Sequence, residues 1–216
     1  MSPSFINIHT HQIHQNGTVE VFNVNEPALP VPEQAPYFTA GIHPWFIKNL
    51  AEQQEQLSQL VLQEKCIAIG ECGLDKLCDT DFLVQKTAFR WQIEQATTIQ
   101  KPLIIHCVKA FDEVLAMLHE KQTTPPVVFH GFNKSKELGL QITKQGHYLS
   151  FGRHLFKNEK LQQLLQEIQH QHWFLETDDA SFGIRELYQF AAQILETDVE
   201  TVILQVHNSF KTIFKV

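Results

Sequence analysis

Ile6-Asn7-Ile8-His9-Thr10-His11 is an apolar run that ends in two histidines one residue apart. Strand side chains alternate between faces with a period of two, so both imidazoles share a face and can grip one cation. The same figure recurs along the chain. Ile67-Ala68-Ile69-Gly70 leads into Glu71, and Pro102-Leu103-Ile104-Ile105 into His106. Pro126-Val127-Val128-Phe129 leads into His130, and Trp173-Phe174-Leu175-Glu176-Thr177 into Asp178. Together these endings place the ligands at the carboxyl edge of a single parallel sheet, where α/β enzymes build active sites. The pattern predicts a metalloenzyme.

Between these points, short β-branched runs alternate with longer stretches of helical period. Strands are expected over 5–9, 19–24, 37–41, 66–70, 103–106, 127–130, 147–151 and 173–176. Helices are expected over 48–63, 81–100, 110–120, 134–145, 158–169 and 183–197, with a helical tail from Asp198. Such alternation implies right-handed βαβ units, and this number of strands implies an α/β protein with a (β/α)8 TIM-like barrel. The link from Gln12 to Thr18 is too short for a helix, and the segment from Asn25 to Pro36 carries four prolines. The barrel is therefore expected to be distorted, with its first one or two helices missing. No repeat or linker divides the chain, and residues 1–216 read as a single domain.

The chain has 216 residues, 43% hydrophobic and 19% charged, as in an ordinary globular protein. A formal net charge of -7 argues against a non-specific nucleic-acid coat. It does not exclude an enzyme of phosphodiesters, because a site metal brings its own positive charge. Four cysteines at 66, 72, 78 and 107 form no CxxC pair and no disulfide framework. Met1-Ser2-Pro3-Ser4 lacks a basic and then apolar leader, and no apolar run reaches the length of a membrane span. The expected location is the cytoplasm, with no membrane and no obligate protein partner.

His9, His11, His106, His130, Glu71 and Asp178 are too many ligands for one tetrahedral zinc with an open position. They suit two cations about 3.5–4 Å apart, with a carboxylate as the natural bridge. Four imidazoles favour zinc, manganese or nickel over magnesium. In Glu176-Thr177-Asp178-Asp179, alternation puts Glu176 and Asp178 on one face, and spacing does not decide which carboxylate meets metal. Asp178, at the strand end, is preferred; Asp179 also reads as a helix cap. The implied chemistry is attack by a metal-bound hydroxide on a phosphodiester, amide or lactone.

These motifs resemble the TatD family of metal-dependent hydrolases, of the amidohydrolase-like barrel superfamily. The resemblance is carried by Ile8-His9-Thr10-His11, Gly41-Ile42-His43-Pro44, Ile69-Gly70-Glu71-Cys72-Gly73-Leu74-Asp75, Pro102-Leu103-Ile104-Ile105-His106-Cys107, His130-Gly131-Phe132 and Leu175-Glu176-Thr177-Asp178. Asn208-Ser209-Phe210-Lys211-Thr212-Ile213-Phe214 looks like the family's closing helix. The resemblance implies one metal on His9, His11, Glu71 and Asp178, and a second on Glu71, His106 and His130. It implies deoxyribonuclease activity, often exonucleolytic and dependent on magnesium or manganese.

Several positions depart from the family. Asn7 stands where an aspartate is usual, Gln12-Ile13-His14 lacks the acidic residue after the second histidine, and Val108-Lys109 replaces an Arg-Asp pair. His130-Gly131-Phe132-Asn133-Lys134 replaces the family's His-Cys-Phe-Ser-Gly. Lys76, Lys109, Lys134, Lys136 and Arg153 fall near loops after strands, where cations can receive a phosphate. His43 and Trp45 are expected to contact substrate, the indole by stacking on a base. The resulting reading is a two-metal deoxyribonuclease or phosphodiesterase in which Asp178 is both ligand and proton acceptor. The rival readings are an amidohydrolase or lactonase on the same metals, and a degenerate paralogue that binds without turnover.

Overall fold

Among residues 3–14, 16–120, 125–169 and 172–216, which the computed structural model describes, strands and helices alternate as expected. Met1-Ser2 of the leader reading and Gln15 of the first link lie outside the described residues. The strands are β1 (Ile6–Thr10), β2 (Val19–Val24), β3 (Tyr37–Ala40), β4 (Cys66–Asp75), β5 (Leu103–Val108), β6 (Val127–Phe129), β7 (Tyr148–Phe151) and β8 (Trp173–Leu175). The helices are α1 (Leu50–Leu60), α2 (Phe82–Ile99), α3 (Phe111–His119), α4 (Lys136–Lys144), α5 (Glu159–Glu167), α6 (Ile184–Ile194) and α7 (Val199–Phe214). The strands form one sheet in the order β1 to β8. Among the described residues no helix stands between β1 and β2 or between β2 and β3.

Helix starts follow the local chemistry. The side chain of Asp81 accepts from the Leu83 and Val84 amides, and Ser135, Asn158 and Asp198 cap α4, α5 and α7 in the same way. Each such cap satisfies an amide that the helix itself leaves orphaned and stabilises it by about 1 kcal/mol. Two short 3-10 turns, Pro44–Phe46 and Arg153–Phe156, escaped the sequence reading.

Contacts divide the chain into two compact units, one of residues 1–22 and 129–216, the other of residues 23–128. In the first, β1 pairs in parallel with β2, and β7 with β8. The ends of β1 and β8 meet as well. The His11 amide donates to the Asp178 carbonyl at 3.2 Å, and the Asp178 amide to the His9 carbonyl at 3.0 Å. Behind them the buried Tyr188 hydroxyl of α6 donates to the Ile6 carbonyl at 2.9 Å and accepts from the Ile6 amide at 3.1 Å. Burial leaves a polar group costly unless paired, so this hydroxyl fixes α6 against β1.

In the second unit, β3 and β5 flank β4 in parallel register. The sequence reading ended β4 at Gly70, because glycine and charge are depleted in strands. The strand continues to Asp75, every residue of it buried. Gly73 permits this. It has φ +139°, and a Cβ there would lie 2.1 Å from the His106 carbonyl oxygen, so only glycine lets β5 come so close. Glu71 is thus a strand residue, and Glu71, Gly73 and Asp75 share a face. Gln92 of α2 is fully buried and serves both the amide and the carbonyl of Ile42, at 2.7 and 3.1 Å. Among the described residues no helix is long and apolar enough to cross a membrane.

Candidate metal centre

In the unit of residues 23–128 the chemistry centres on Glu71, whose residue is 4% exposed. Its Oε1 lies 2.7 Å from His106 Nδ1 and 3.1 Å from His43 Nε2, and its Oε2 accepts from Asn23 Nδ2 at 3.2 Å. Asn23 is itself oriented by Thr39, whose hydroxyl donates to its Oδ1 at 2.9 Å. A buried carboxylate survives only with such donors or a cation.

The backbone sets the tautomer of His43. The Trp45 amide donates to His43 Nδ1 at 3.1 Å, so that nitrogen keeps its lone pair. In the neutral ring the proton is then on Nε2, which donates to Glu71. His43, Glu71 and His106 offer ligand atoms within 4.8 Å of one another. With its proton on Nε2, His43 acts towards Glu71 as a donor, although the sequence reading left it out of the ligands.

His106 faces a carboxylate on each side. Its Nε2 lies 3.1 Å from Asp75 Oδ2, opposite the 2.7 Å approach of Nδ1 to Glu71. A neutral imidazole has one N–H. With that proton on Nε2, the lone pair of Nδ1 would confront an oxygen lone pair at 2.7 Å, so a proton or a cation must be shared there. Burial works to raise the Asp75 carboxyl. Hydrogen bonds from the Trp45 indole, the Leu77 amide and His106 outweigh it and hold the group below the ordinary carboxylate range.

The unit of residues 1–22 and 129–216 assembles the other predicted ligands. Asp178 Oδ1 lies 3.7 Å from His9 Nε2 and 3.4 Å from His11 Nε2. The rings of His9 and His130 have centroids 4.4 Å apart. Asp178 stands at φ +55°, a left-handed conformation that aspartate tolerates better than most residues. Asn7 holds the preceding residue in place, donating from Nδ2 to Thr177 Oγ1 at 2.7 Å and accepting the Thr177 amide on Oδ1 at 3.0 Å. An amide can both donate and accept, so the departure at position 7 serves a β1–β8 lock.

Glu176 is fully buried beside this group. Its Oε1 accepts the Gly131 amide at 2.7 Å and lies 3.4 Å from His130 Nδ1. Gly131 has φ +55° and a Cβ there would sit 3.6 Å from that oxygen. The Glu176 Oε2 atom is buried with no hydrogen-bond partner among the described residues. A carboxylate so placed calls for positive charge nearby. Metal-binding histidines characteristically give their second nitrogen to a carboxylate, and His106–Asp75 and His130–Glu176 both have that form. The donor set therefore fits divalent cations of the zinc or manganese kind.

The predicted substrate residues are placed as follows. Trp45 is 54% exposed, not packed away, and its Nε1 donates to Asp75 Oδ2 at 2.6 Å. Lys109 is exposed, in a left-handed conformation at φ +52°. Arg153 pairs with Asp179, and its Nη2 lies 3.9 Å from Asp178 Oδ2. Burial, and then the charges of Arg153 and Lys134, push the His154 imidazole down. Lys76 pairs with Glu113, and Lys136 with Glu167 at 2.5 Å. The sequence reading gave no role to Asp75, although alternation from Glu71 puts it on the same face. It treated Glu176 only as a rival to Asp178.

Known proteins resemble this chain in sequence and in fold. YabD of Bacillus subtilis strain 168, an uncharacterized metal-dependent hydrolase, is 34% identical over 66% of this chain and 58% of its own length. A human 3'-5' RNA nuclease, TATDN2, is 37% identical over 40% of this chain and 11% of its own length. The chain spans about half the length of the curated relatives it matches, 48% for an uncharacterized metal-dependent hydrolase of Buchnera aphidicola that is 32% identical. The crystal structure of YJJV, a TatD homolog from Escherichia coli K12, aligns with a TM-score of 0.85 at 21% identity over 100% of both chains. A TatD family hydrolase from Entamoeba histolytica aligns at 0.77 and 14% identity over 99% of both. That likeness shows the fold to be the TIM-like barrel of eight parallel strands expected from the sequence. The family model of TatD related DNase matches residues 28–215, and by that match the chain belongs to the TatD related DNase family.

Proposed function

We propose that residues 1–216 act as a single-domain, metal-dependent phosphodiesterase of nucleic acid, with deoxyribonuclease activity as the first expectation. The observation that carries this reading is Glu71, a buried carboxylate sharing Oε1 between His106 at 2.7 Å and His43 at 3.1 Å, in a chain that matches the family over residues 28–215. His9, His11, Glu71, His106, His130 and Asp178 would hold two divalent cations, zinc, manganese, nickel or magnesium. Held by these residues, divalent cations would supply Lewis-acid polarisation of a phosphoryl group and a more acidic water. Asp178 takes the proton of the attacking water. Arg153, already 3.9 Å from that carboxylate, and the exposed Lys109 receive the phosphate. His43 donates to Glu71 and stands beside the substrate with Trp45. The human relative named a 3'-5' RNA nuclease supports a nucleic-acid substrate and leaves RNA beside DNA. An amidohydrolase or lactonase reading is favoured by one observation, the loss of the family's Arg-Asp pair at Val108-Lys109.

The test is elemental analysis of purified protein, with hydrolysis of a phosphodiester ester, single-stranded DNA, RNA, a lactone and an amide. We expect bound divalent metal and phosphodiester turnover, both lost in Glu71→Ala and His130→Ala. Turnover of the lactone or amide alone would replace the substrate class. No metal in the wild type under metal-replete conditions would end the two-metal reading.

A further inference from the structure

We propose that Asp75 is a positioning residue with two attachments. It orients His106 towards a cation, and it anchors Trp45 as an exposed stacking face for an unpaired nucleobase. The inference rests on the phosphodiesterase reading above and adds to it a mechanical tie between base binding and a metal ligand.

Asp75 is 2% exposed, and both carboxylate oxygens are used. Oδ2 accepts from Trp45 Nε1 at 2.6 Å and from His106 Nε2 at 3.1 Å, while Oδ1 accepts the Leu77 amide at 2.7 Å. Gln85, also buried, grips the Asp75 backbone, accepting its amide at 2.8 Å and donating to its carbonyl at 3.0 Å. The carboxylate is thus held by three groups, and Gln85 holds the backbone that carries it. A fixed acceptor at Nε2 holds the His106 proton there and leaves Nδ1 to face Glu71. Carboxylate partners of this kind raise the basicity of a ligating histidine and set its ring plane.

The same oxygen decides what Trp45 offers. The indole N–H is spent on Asp75, so the exposed ring presents a π-face and no donor. The ring meets His43 in a T-shaped contact, with centroids 5.1 Å apart and planes at 84°, and His106 in another at 5.6 Å and 79°. A large apolar side chain left exposed yet held at three points is preorganised for a flat ligand. Every base has a π-face, so such a platform binds unpaired nucleobases with little regard to sequence. A base on Trp45 therefore bears, through one oxygen, on the orientation of His106.

The test uses Asp75→Asn, Trp45→Ala and wild-type protein, with Mn2+ affinity by calorimetry and binding of a short oligothymidylate by tryptophan quenching or anisotropy. Asparagine keeps the shape but has one acceptor oxygen, so its NH2 must face either the Trp45 and His106 N–H groups or the Leu77 amide, and the negative charge is lost. Asp75→Asn should weaken Mn2+ binding about 10- to 100-fold. Trp45→Ala should weaken oligothymidylate binding roughly 5- to 150-fold and Mn2+ binding by less than Asp75→Asn does; full oligothymidylate affinity in folded Trp45→Ala overturns the stacking face. Full affinity for both probes in folded Asp75→Asn overturns the proposal and leaves the metal reading standing. A wild-type protein that holds no Mn2+ overturns the metal reading and the orienting role with it. Should Asp75→Asn not fold, nitrogen-15 spectra of wild-type protein decide. We expect His106 protonated at Nε2 and a downfield, slowly exchanging Trp45 indole proton. An unprotonated Nε2 or a freely exchanging indole overturns the clamp.

Discussion

Glu176 Oε1 lies 3.4 Å from His130 Nδ1, and the same oxygen accepts the Gly131 amide at 2.7 Å. One buried carboxylate thus fixes both the ring of a predicted ligand and the backbone beside it. If that ring meets a cation, Glu176 governs how well. Glu176→Ala should lower divalent-metal affinity about 10- to 100-fold, and Glu176→Gln, which keeps an acceptor but no charge, by less. Competition against a chelator of known affinity measures this. Equal affinity in all three proteins would return Glu176 to a structural role.

Asp178 combines a left-handed backbone at φ +55° with a carboxylate near two imidazoles. Asparagine tolerates that backbone as aspartate does but cannot take a proton from water. Asp178→Asn should stay folded and lose on the order of 10²- to 10⁴-fold in phosphodiester hydrolysis. Asp178→Val should in addition lose about 1–3 kcal/mol of stability, because a β-branched residue is strained there. Circular dichroism melts and metal-replete assays separate the two effects. A near-wild-type rate in folded Asp178→Asn would move the base elsewhere.

Gly73 is the place where β4 yields to β5. A methyl at this position would lie 2.1 Å from the His106 carbonyl oxygen, and backbone cannot move aside as a side-chain tip can. Gly73→Ala should cost about 1–3 kcal/mol or more and displace His106. Thermal melts together with metal content check both parts. Wild-type stability with full metal content would show that the strands can part without harm.

The thiols should react in two classes. Burial pushes the Cys66 thiol up to about 11 from its ordinary 9.0, with Lys101 opposing, and burial with the charge of Glu71 pushes Cys72 up as well. Near pH 8 the thiolate fraction at Cys66 is then about one in a thousand. An aromatic disulfide reagent should label the half-buried Cys78 and Cys107 first, and Cys66 and Cys72 only on unfolding. The unfolded thiol loses its proton before the folded one, so stability is intact below the ordinary thiol range and falls as pH rises through it towards the folded value. Mass spectrometry of labelled sites would expose an early reaction at Cys66.

By itself the sequence determined the alternation of strands and helices, because hydrophobic periodicity and caps such as Asp81 and Ser135 are local properties. It also marked which side chains lie near the strand ends, although β5 runs on past His106 to Val108 and β4 past Glu71 to Asp75, while β8 stops at Leu175, short of Asp178. His9, His11, His106 and His130 follow apolar runs, and a period of two fixes the face on which each lies. Only the tertiary structure decided how far β4 runs. Glycine and charge oppose a strand locally, and pairing with β5 overrides that preference at Gly73. The partners of the ligands were also a tertiary matter. His130 and Glu176 are far apart in the chain, as are His106 and Asp75, and Trp45 reaches Asp75 across thirty residues. Sequence spacing carries no distance across such gaps. Hydrogen bonds form only where packing brings donor and acceptor within about 3 Å, so the orientation of each histidine ring is a property of the folded chain.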